Sequence, residues 1–316
     1  MLYISFWLSK WRRKPILLGK PTSLTIEPTT ACNLGCPECP SGLKSFTRPI
    51  GNVQLETIDI VLNELSPWLT YLNFYFQGEP YIHKGFFSMV KKANDKNIYT
   101  CTSTNGHFLN DKTAEATIKS GLDKLIISLD GITQKTYESY RIHGELDKVL
   151  EGAKIMVEWK KKLKSKTPLL VFQFLVVKPN EHEIEDAKIL ASNIGVDKIT
   201  FKTAQIYNFE NGNPLIPSID KYSRYKLSLN GKYKIKNSLE NQCWRMWRGS
   251  VITWDGKVIP CCFDKDASHE MGNVHANSFE KIWSSKPYMN FRSAVLKSRS
   301  GIDICKNCSE GTKVWA

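Results

Sequence analysis

Between residues 23 and 206 the chain alternates short apolar runs with longer amphipathic segments. The runs at 24–27, 71–76, 98–103, 124–129, 170–177 and 198–202 predict strands, because they are brief and rich in β-branched and aromatic residues. Between them, Leu55, Ile58, Leu62 and Leu65 recur at helical spacing, as do Val149, Leu150, Ala153, Met156 and Val157. A third helical face, Ile184, Ala187, Leu190, Ala191 and Ile194, is opened by Asn180 with Glu183 three residues on and closed by Gly195. Strands alternating with helices predict an α/β fold around a parallel sheet.

The pattern changes near Tyr207. Residues 208–217 are rich in Asn, Gly and Pro and read as a linker. Further on, two β-prone runs flank Asp255-Gly256 over residues 251–259, a hairpin signal. The organisation expected is an N-terminal basic and aromatic segment at 1–21, a barrel-forming core at 22–206, a linker at 207–240 and a small α+β module at 241–316.

The chain has 316 residues, 41% hydrophobic and 24% charged, as in an ordinary soluble globular protein. No apolar run approaches the ~20 residues of a transmembrane helix. Residues 1–14 place their basic cluster after the apolar part, the reverse of a secretory signal. Their Trp, Phe and Leu beside Lys and Arg suit a membrane surface, but the reading taken is a helix packed over the barrel's open end. The net charge of +13 suits acidic partners, including an acidic electron donor. Its cations are scattered apart from a run at 160–166, which reads as a solvated helix end, so no nucleic-acid partner is expected.

The chemistry is concentrated in nine cysteines. Cys32-Asn-Leu-Gly-Cys36-Pro-Glu-Cys39 has the spacing C-x3-C-x2-C. Three thiolates can hold three irons of a [4Fe–4S] cube and leave the fourth iron open to an outside ligand. A structural zinc needs a fourth ligand that the segment does not offer. A disulfide framework suits small secreted domains rather than a chain of this length with an odd number of cysteines, and thiols in this number point to a reducing cytoplasm.

This motif, after a short strand, resembles that of the radical S-adenosylmethionine (radical SAM) superfamily. Phe76-Gln-Gly-Glu-Pro80 resembles the family's Gly-Gly-Glu-Pro motif, with Gln77 in place of the first glycine. Ser103-Thr-Asn-Gly106, Ser128-Leu-Asp-Gly131 and Tyr140-Arg141 resemble its later strand-end positions. The resemblance implies a partial (β/α)6 TIM-type barrel whose site lies at the strands' C-terminal ends. It implies that Cys32, Cys36 and Cys39 bind a [4Fe–4S] cluster, while Gln77, Gly78, Glu79, Asn105, Ser128 and Arg141 hold S-adenosylmethionine. It also implies reductive cleavage of that cofactor to methionine and a 5′-deoxyadenosyl radical. Cys101, inside a strand, reads as a core residue.

The later cysteines form C-x12-G-x4-C from Cys243 to Cys261, followed by Cys305-Lys-Asn-Cys308. This resembles the SPASM or shorter twitch domain and implies a second, auxiliary [4Fe–4S] cluster on Cys243, Cys261, Cys305 and Cys308. Cys262 is an alternative to Cys261, although strand alternation points it the other way. Zinc remains the other occupant that four thiolates suit. No further cysteine follows, so one auxiliary cluster is expected.

The function expected is oxidative. The radical takes a substrate hydrogen, a base takes a proton, and the auxiliary cluster takes an electron. Lys202 is the candidate base, with Gln205 and His83 as further substrate-facing residues, while His143, His182, His269 and His275 fit surface or loop roles. The substrate expected is a small molecule such as a sugar or amino sugar, or else a peptide. The electron donor expected is a reductase, flavodoxin or ferredoxin. A redox-neutral epimerase or rearrangement enzyme, a peptide maturase and a non-catalytic metal-binding nucleic-acid module are the alternatives.

Overall fold

The computed structural model describes residues 1–311. Strands β1 (Ser23–Ile26), β2 (Tyr71–Asn73), β3 (Tyr99–Thr104), β4 (Lys124–Ser128), β5 (Leu169–Val176) and β6 (Lys198–Thr203) lie side by side in that order, all parallel. Helix α1 (Leu2–Arg12) precedes them; α2 (Pro40–Leu43) and α3 (Leu55–Leu65) follow β1, and α4 (Phe86–Asn94) follows β2. Then α5 (Asp111–Lys119) follows β3, α6 (Gln134–Glu138) and α7 (Leu146–Lys162) follow β4, and α8 (Ile184–Ile194) follows β5. This is the partial TIM-type barrel expected.

Alternation sorts the strand residues into two layers. Leu24, Ile26, Leu72, Phe74, Leu125, Ile127, Leu170 and Phe172 are buried against the helices, where Ile58, Leu62, Met89, Val149 and Met156 meet them. Cys101, Ile126 and Val171 form a separate inner cluster with Tyr71 and Tyr75, so Cys101 is the core residue expected.

The C-terminal module continues the same sheet. After the hairpin β7 (Tyr225–Leu227) and β8 (Tyr233–Ile235) and the short α9 (Arg245–Arg248) come β9 (Gly249–Ile252), β10 (Lys257–Ile259) and β11 (Gly272–Asn273). The β9–β10 pair is the hairpin read around Gly256. Its first strand lies parallel to β1, from Ser23 opposite Gly249 to Ile26 opposite Ile252, so one sheet of nine strands runs from β11 to β6. Gly249 permits this approach, because a Cβ there would collide with the Ser23 carbonyl. Helices α10 (Phe279–Trp283) and α11 (Lys286–Ser298) pack beneath it.

Three expectations change. Asn180 does not cap α8. Its side chain accepts from Val177 N and donates to the carbonyls of Asp130 and Leu175, so it closes the loop instead. Glu183, freed from a capping box, binds Ile132 N and Thr136 Oγ1. Residues 208–217 are not a loose tether, since Leu215 and Ile216 are buried with Ile206 and Tyr225 against the loop that carries Cys32, Cys36 and Cys39. Helix α1 lies by the beginnings of the strands rather than over their open end: Trp247 Nε1 donates to Ile16 O and Trp283 Nε1 to Gly19 O, pinning its C-terminal extension there.

Candidate functional site

The loop after β1 carries the first three thiols. Each one meets a side chain delivered by a different strand end. Asn105, after β3, points Nδ2 at Cys32 Sγ (3.9 Å). Arg141, beyond β4, points Nη1 at Cys36 Sγ (3.7 Å), and Gln77, beyond β2, places Oε1 3.9 Å from Cys39 Sγ. The thiols are near enough to act on one another. Cys32 is pushed up to about 11 first by burial and also by Glu79, Cys36 and Cys39. Bound iron reverses this, because coordination deprotonates a thiol.

Partners of the strand-end residues hold them in place. Arg141 Nε pairs with the fully buried Asp130, whose other oxygen accepts from Leu175 N (2.7 Å). Burial opposes the Arg141 charge, and Asp130 and Cys36 outweigh it. Glu79 accepts from Tyr81 N, Thr104 Oγ1 and Asn105 N at 2.7–3.1 Å, stapling the β2 loop to the β3 loop. Burial raises its carboxyl to about 7. Gly78 has φ +71°, and a Cβ there would collide with the Thr29 carbonyl. Ser128 is buried at the end of β4, opposite Gln173.

A second group of thiols gathers at the module. Cys243 precedes α9, Cys261 and Cys262 follow β10, and Cys305 and Cys308 follow α11. Cys305 is pushed up to about 12, first by burial and then by Cys243, with Cys308 adding to it. Two arginines face the group: Arg299 Nη2 donates to Cys308 Sγ (3.2 Å) and Arg245 Nη1 to Cys262 Sγ (3.6 Å). Both Cys261 and Cys262 lie beyond the last strand residue, Ile259, so strand alternation does not separate them. Their thiols share a hydrogen bond, and Phe263 N donates to Cys261 Sγ (3.3 Å).

The two thiol groups are tied together. Tyr225, packed beside Cys36 and Leu34, donates its hydroxyl to Asn307 Oδ1 (2.9 Å) between Cys305 and Cys308. Asn307 Nδ2 reaches Ile206 O (2.7 Å). A buried pair, Arg48 and Glu27, joins the cysteine loop to the module: Arg48 Nε donates to Lys265 O (3.2 Å), and Trp254 N donates to Glu27 (3.2 Å).

Lys202 is exposed on β6, opposite Leu175. Phe201 beside it packs outward on Phe174, which places Lys202 on the inner side. His83 is held between Val53 O and Gly85 N, a loop contact rather than a substrate-facing one. Asp130, Glu27, Arg48, Arg245 and Arg299 were not singled out from sequence. Only Asp130 carried a signal, as part of Ser128-Leu-Asp-Gly131.

All nine cysteines are unpaired. Two groups of thiols, each faced by arginine, fit polynuclear iron–sulfur clusters, whose thiolate-bound charge such donors stabilise.

The radical SAM superfamily model matches residues 26–190. A second, the SPASM iron-sulfur cluster-binding domain, matches residues 243–309. The tungsten-containing aldehyde ferredoxin oxidoreductase cofactor-modifying protein of Pyrococcus furiosus is 25% identical over 312 residues, spanning 90% of this chain and 86% of its own length. PqqA peptide cyclase of Gluconobacter oxydans is 25% identical over 319 residues, spanning 95% and 86%. Among solved structures, Streptococcus suis SuiB bound to S-adenosylmethionine has a TM-score of 0.68 at 14% identity, over 94% of this chain and 74% of that one. BtrN in complex with AdoMet and 2-DOIA has a TM-score of 0.56 at 16% identity, over 94% and 96%. At those identities the structural likeness is one of fold.

Proposed function

Because this chain belongs to the radical SAM superfamily and carries a SPASM domain, we propose that it oxidises an unactivated carbon of its substrate and passes one electron to an auxiliary [4Fe–4S] cluster. The observation that carries this reading is the meeting of Asn105, Arg141 and Gln77 with Cys32, Cys36 and Cys39, one residue to each thiol. When bound there, the cluster supplies the electron that cleaves S-adenosylmethionine. Cys243, Cys261, Cys305 and Cys308 hold the auxiliary cluster. Gly78 brings backbone close to the loop, Arg141 offers a guanidinium to the cofactor's carboxylate, and Asn105 and Ser128 offer polar groups to its ribose.

Loss of two substrate hydrogens balances as one hydrogen atom to the deoxyadenosyl group, one proton to a base and one electron to the auxiliary cluster. Lys202 is the proposed base. It stands on the inner side of β6, opposite Leu175, the side on which the thiol loop and a bound substrate would lie.

The substrate we favour is a peptide. PqqA peptide cyclases of Gluconobacter oxydans and Bradyrhizobium diazoefficiens each span 95% of this chain, which supports this choice over a sugar. The likeness to BtrN, the support for a small molecule, is one of fold alone. The positive surface suits an acidic flavodoxin or ferredoxin donor. No helix among the described residues is long and apolar enough to cross a membrane, and free thiols in this number suit the cytoplasm.

The test is anaerobic reconstitution followed by iron, sulfide and 5′-deoxyadenosine analysis. About eight irons and as many sulfides are expected, two cubes. Replacing Cys32, Cys36 and Cys39 by Ala abolishes 5′-deoxyadenosine; its persistence overturns the reading. Product two hydrogens lighter than substrate supports oxidation, and product of unchanged mass supports the redox-neutral alternative.

A further inference from the structure

Helix α1 has two opposed faces. Leu2, Ser5, Phe6 and Ser9 are buried, with Phe6 edge-on to Trp244 and Trp247. Ile4, Trp7 and Trp11, three and seven positions apart, form one stripe on the opposite side and stay in solvent, Trp11 at 76% exposure. Cations flank this stripe: Lys10 lies 4.9 Å over the Trp7 ring and Arg12 5.8 Å from the Trp11 ring. The first 26 residues contain Lys10, Arg12, Arg13, Lys14 and Lys20 and no acidic residue. Beside the helix a groove of about 910 Å³, lined by Leu2, Leu17, Trp68 and Trp283, has Lys20 and Arg248 among its residues. Glu280, the acidic residue there, is already paired with Lys20 (3.0 Å).

We propose that this face docks the protein on an anionic lipid surface. Exposed indole rings beside cations match the boundary between headgroups and acyl chains, where Trp is enriched and Lys and Arg meet phosphate. The buried stripe fixes the helix to the body, so the exposed stripe is presented ready-formed, with no ordering cost on binding. The apolar groove next to it has the volume to take part of an acyl chain, and Arg248 among its lining residues offers a cation to a headgroup phosphate. None of this depends on which reaction the barrel performs.

The experiment is flotation of the reconstituted full chain with vesicles of equimolar phosphatidylglycerol and phosphatidylcholine, and with phosphatidylcholine alone. Binding to the mixed vesicles alone is expected, with a blue shift of tryptophan emission and release in 1 M salt, where the screening length falls to about 3 Å. Each cation near such a surface strengthens partition about fivefold, so R12Q/R13Q/K14Q lowers it roughly a hundredfold. W11A, at a site with no packing role, also weakens binding while 5′-deoxyadenosine formation is unchanged. No binding to the mixed vesicles, equal binding to both kinds, or a dimer that W11A dissociates each overturns the proposal, the last by assigning the face to a second copy.

Discussion

Arg299 donates from Nη2 to Cys308 Sγ at 3.2 Å, and its guanidinium is buried completely. Its guanidinium also donates to the carbonyls of Gln242 and Glu310, so among the described residues the counter-charge it meets is sulfur. A buried cation without a carboxylate is costly unless a neighbouring group is anionic. Iron-bound thiolates meet that need. R299Q therefore keeps the fold's shape but removes a charge-assisted bond to the auxiliary cluster. Its midpoint potential is expected to fall by roughly 40–90 mV, the equivalent of about 1–2 kcal/mol in a one-electron couple, read by EPR-monitored titration. An unchanged potential at full iron content means that Arg299 is only a structural clamp.

Glu27 and Arg48 form a two-pronged pair with almost no solvent access, at the junction of β1, the cysteine loop and the β9–β10 hairpin. Burial pushes the Glu27 carboxyl up despite the guanidinium beside it. Removing one partner strands the other: R48A and E27Q are each expected to cost about 3–5 kcal/mol. An apolar replacement of both costs less than the sum. Thermal unfolding of the two single variants and the double variant measures this coupling.

Glu181 clasps residues 218 and 219 by accepting from Ser218 N (2.6 Å), Ile219 N (3.1 Å) and Lys178 Nζ (2.7 Å). Burial opposes its charge, and the bonds from Lys178 and Ser218 outweigh it, holding the carboxyl at about 2 against an ordinary 4.5. A depressed carboxyl stabilises the fold fully above its unfolded pKa and loses that contribution as pH falls toward 2. E181Q is expected to cost about 1–3 kcal/mol near neutral pH. The stability curves of wild type and variant converge in acid, and parallel curves down to pH 3 rule out the clasp.

The six barrel strands and the cysteine loop were legible because each is a local signal, a period or a spacing. Cys32, Cys36 and Cys39 needed only their own interval to be read. The companions of these thiols came from resemblance at strand ends, and the geometry that joins Gln77, Asn105 and Arg141 to them depends on parallel order, which no single segment encodes. Arg48 and Arg299 were invisible, because a buried arginine looks like any surface arginine until its distant partner is known. Asn180 and Glu183 misled for a related reason: a capping box was available, but Asp130 O and Ile132 N, brought close by the fold, competed for the same side chains. The hairpin at β9–β10 was legible as a hairpin, yet its docking on β1 follows from an unpaired backbone edge rather than from side chains.

That docking has a bearing on handling the protein in pieces. A variant cut before residue 241 would leave the first strand of the barrel with a naked row of amides and carbonyls, the template on which extended chains stack into aggregates. Insolubility of such a fragment would then report a missing neighbour rather than a damaged cysteine loop, and a peptide spelling out the absent strand should restore it to solution.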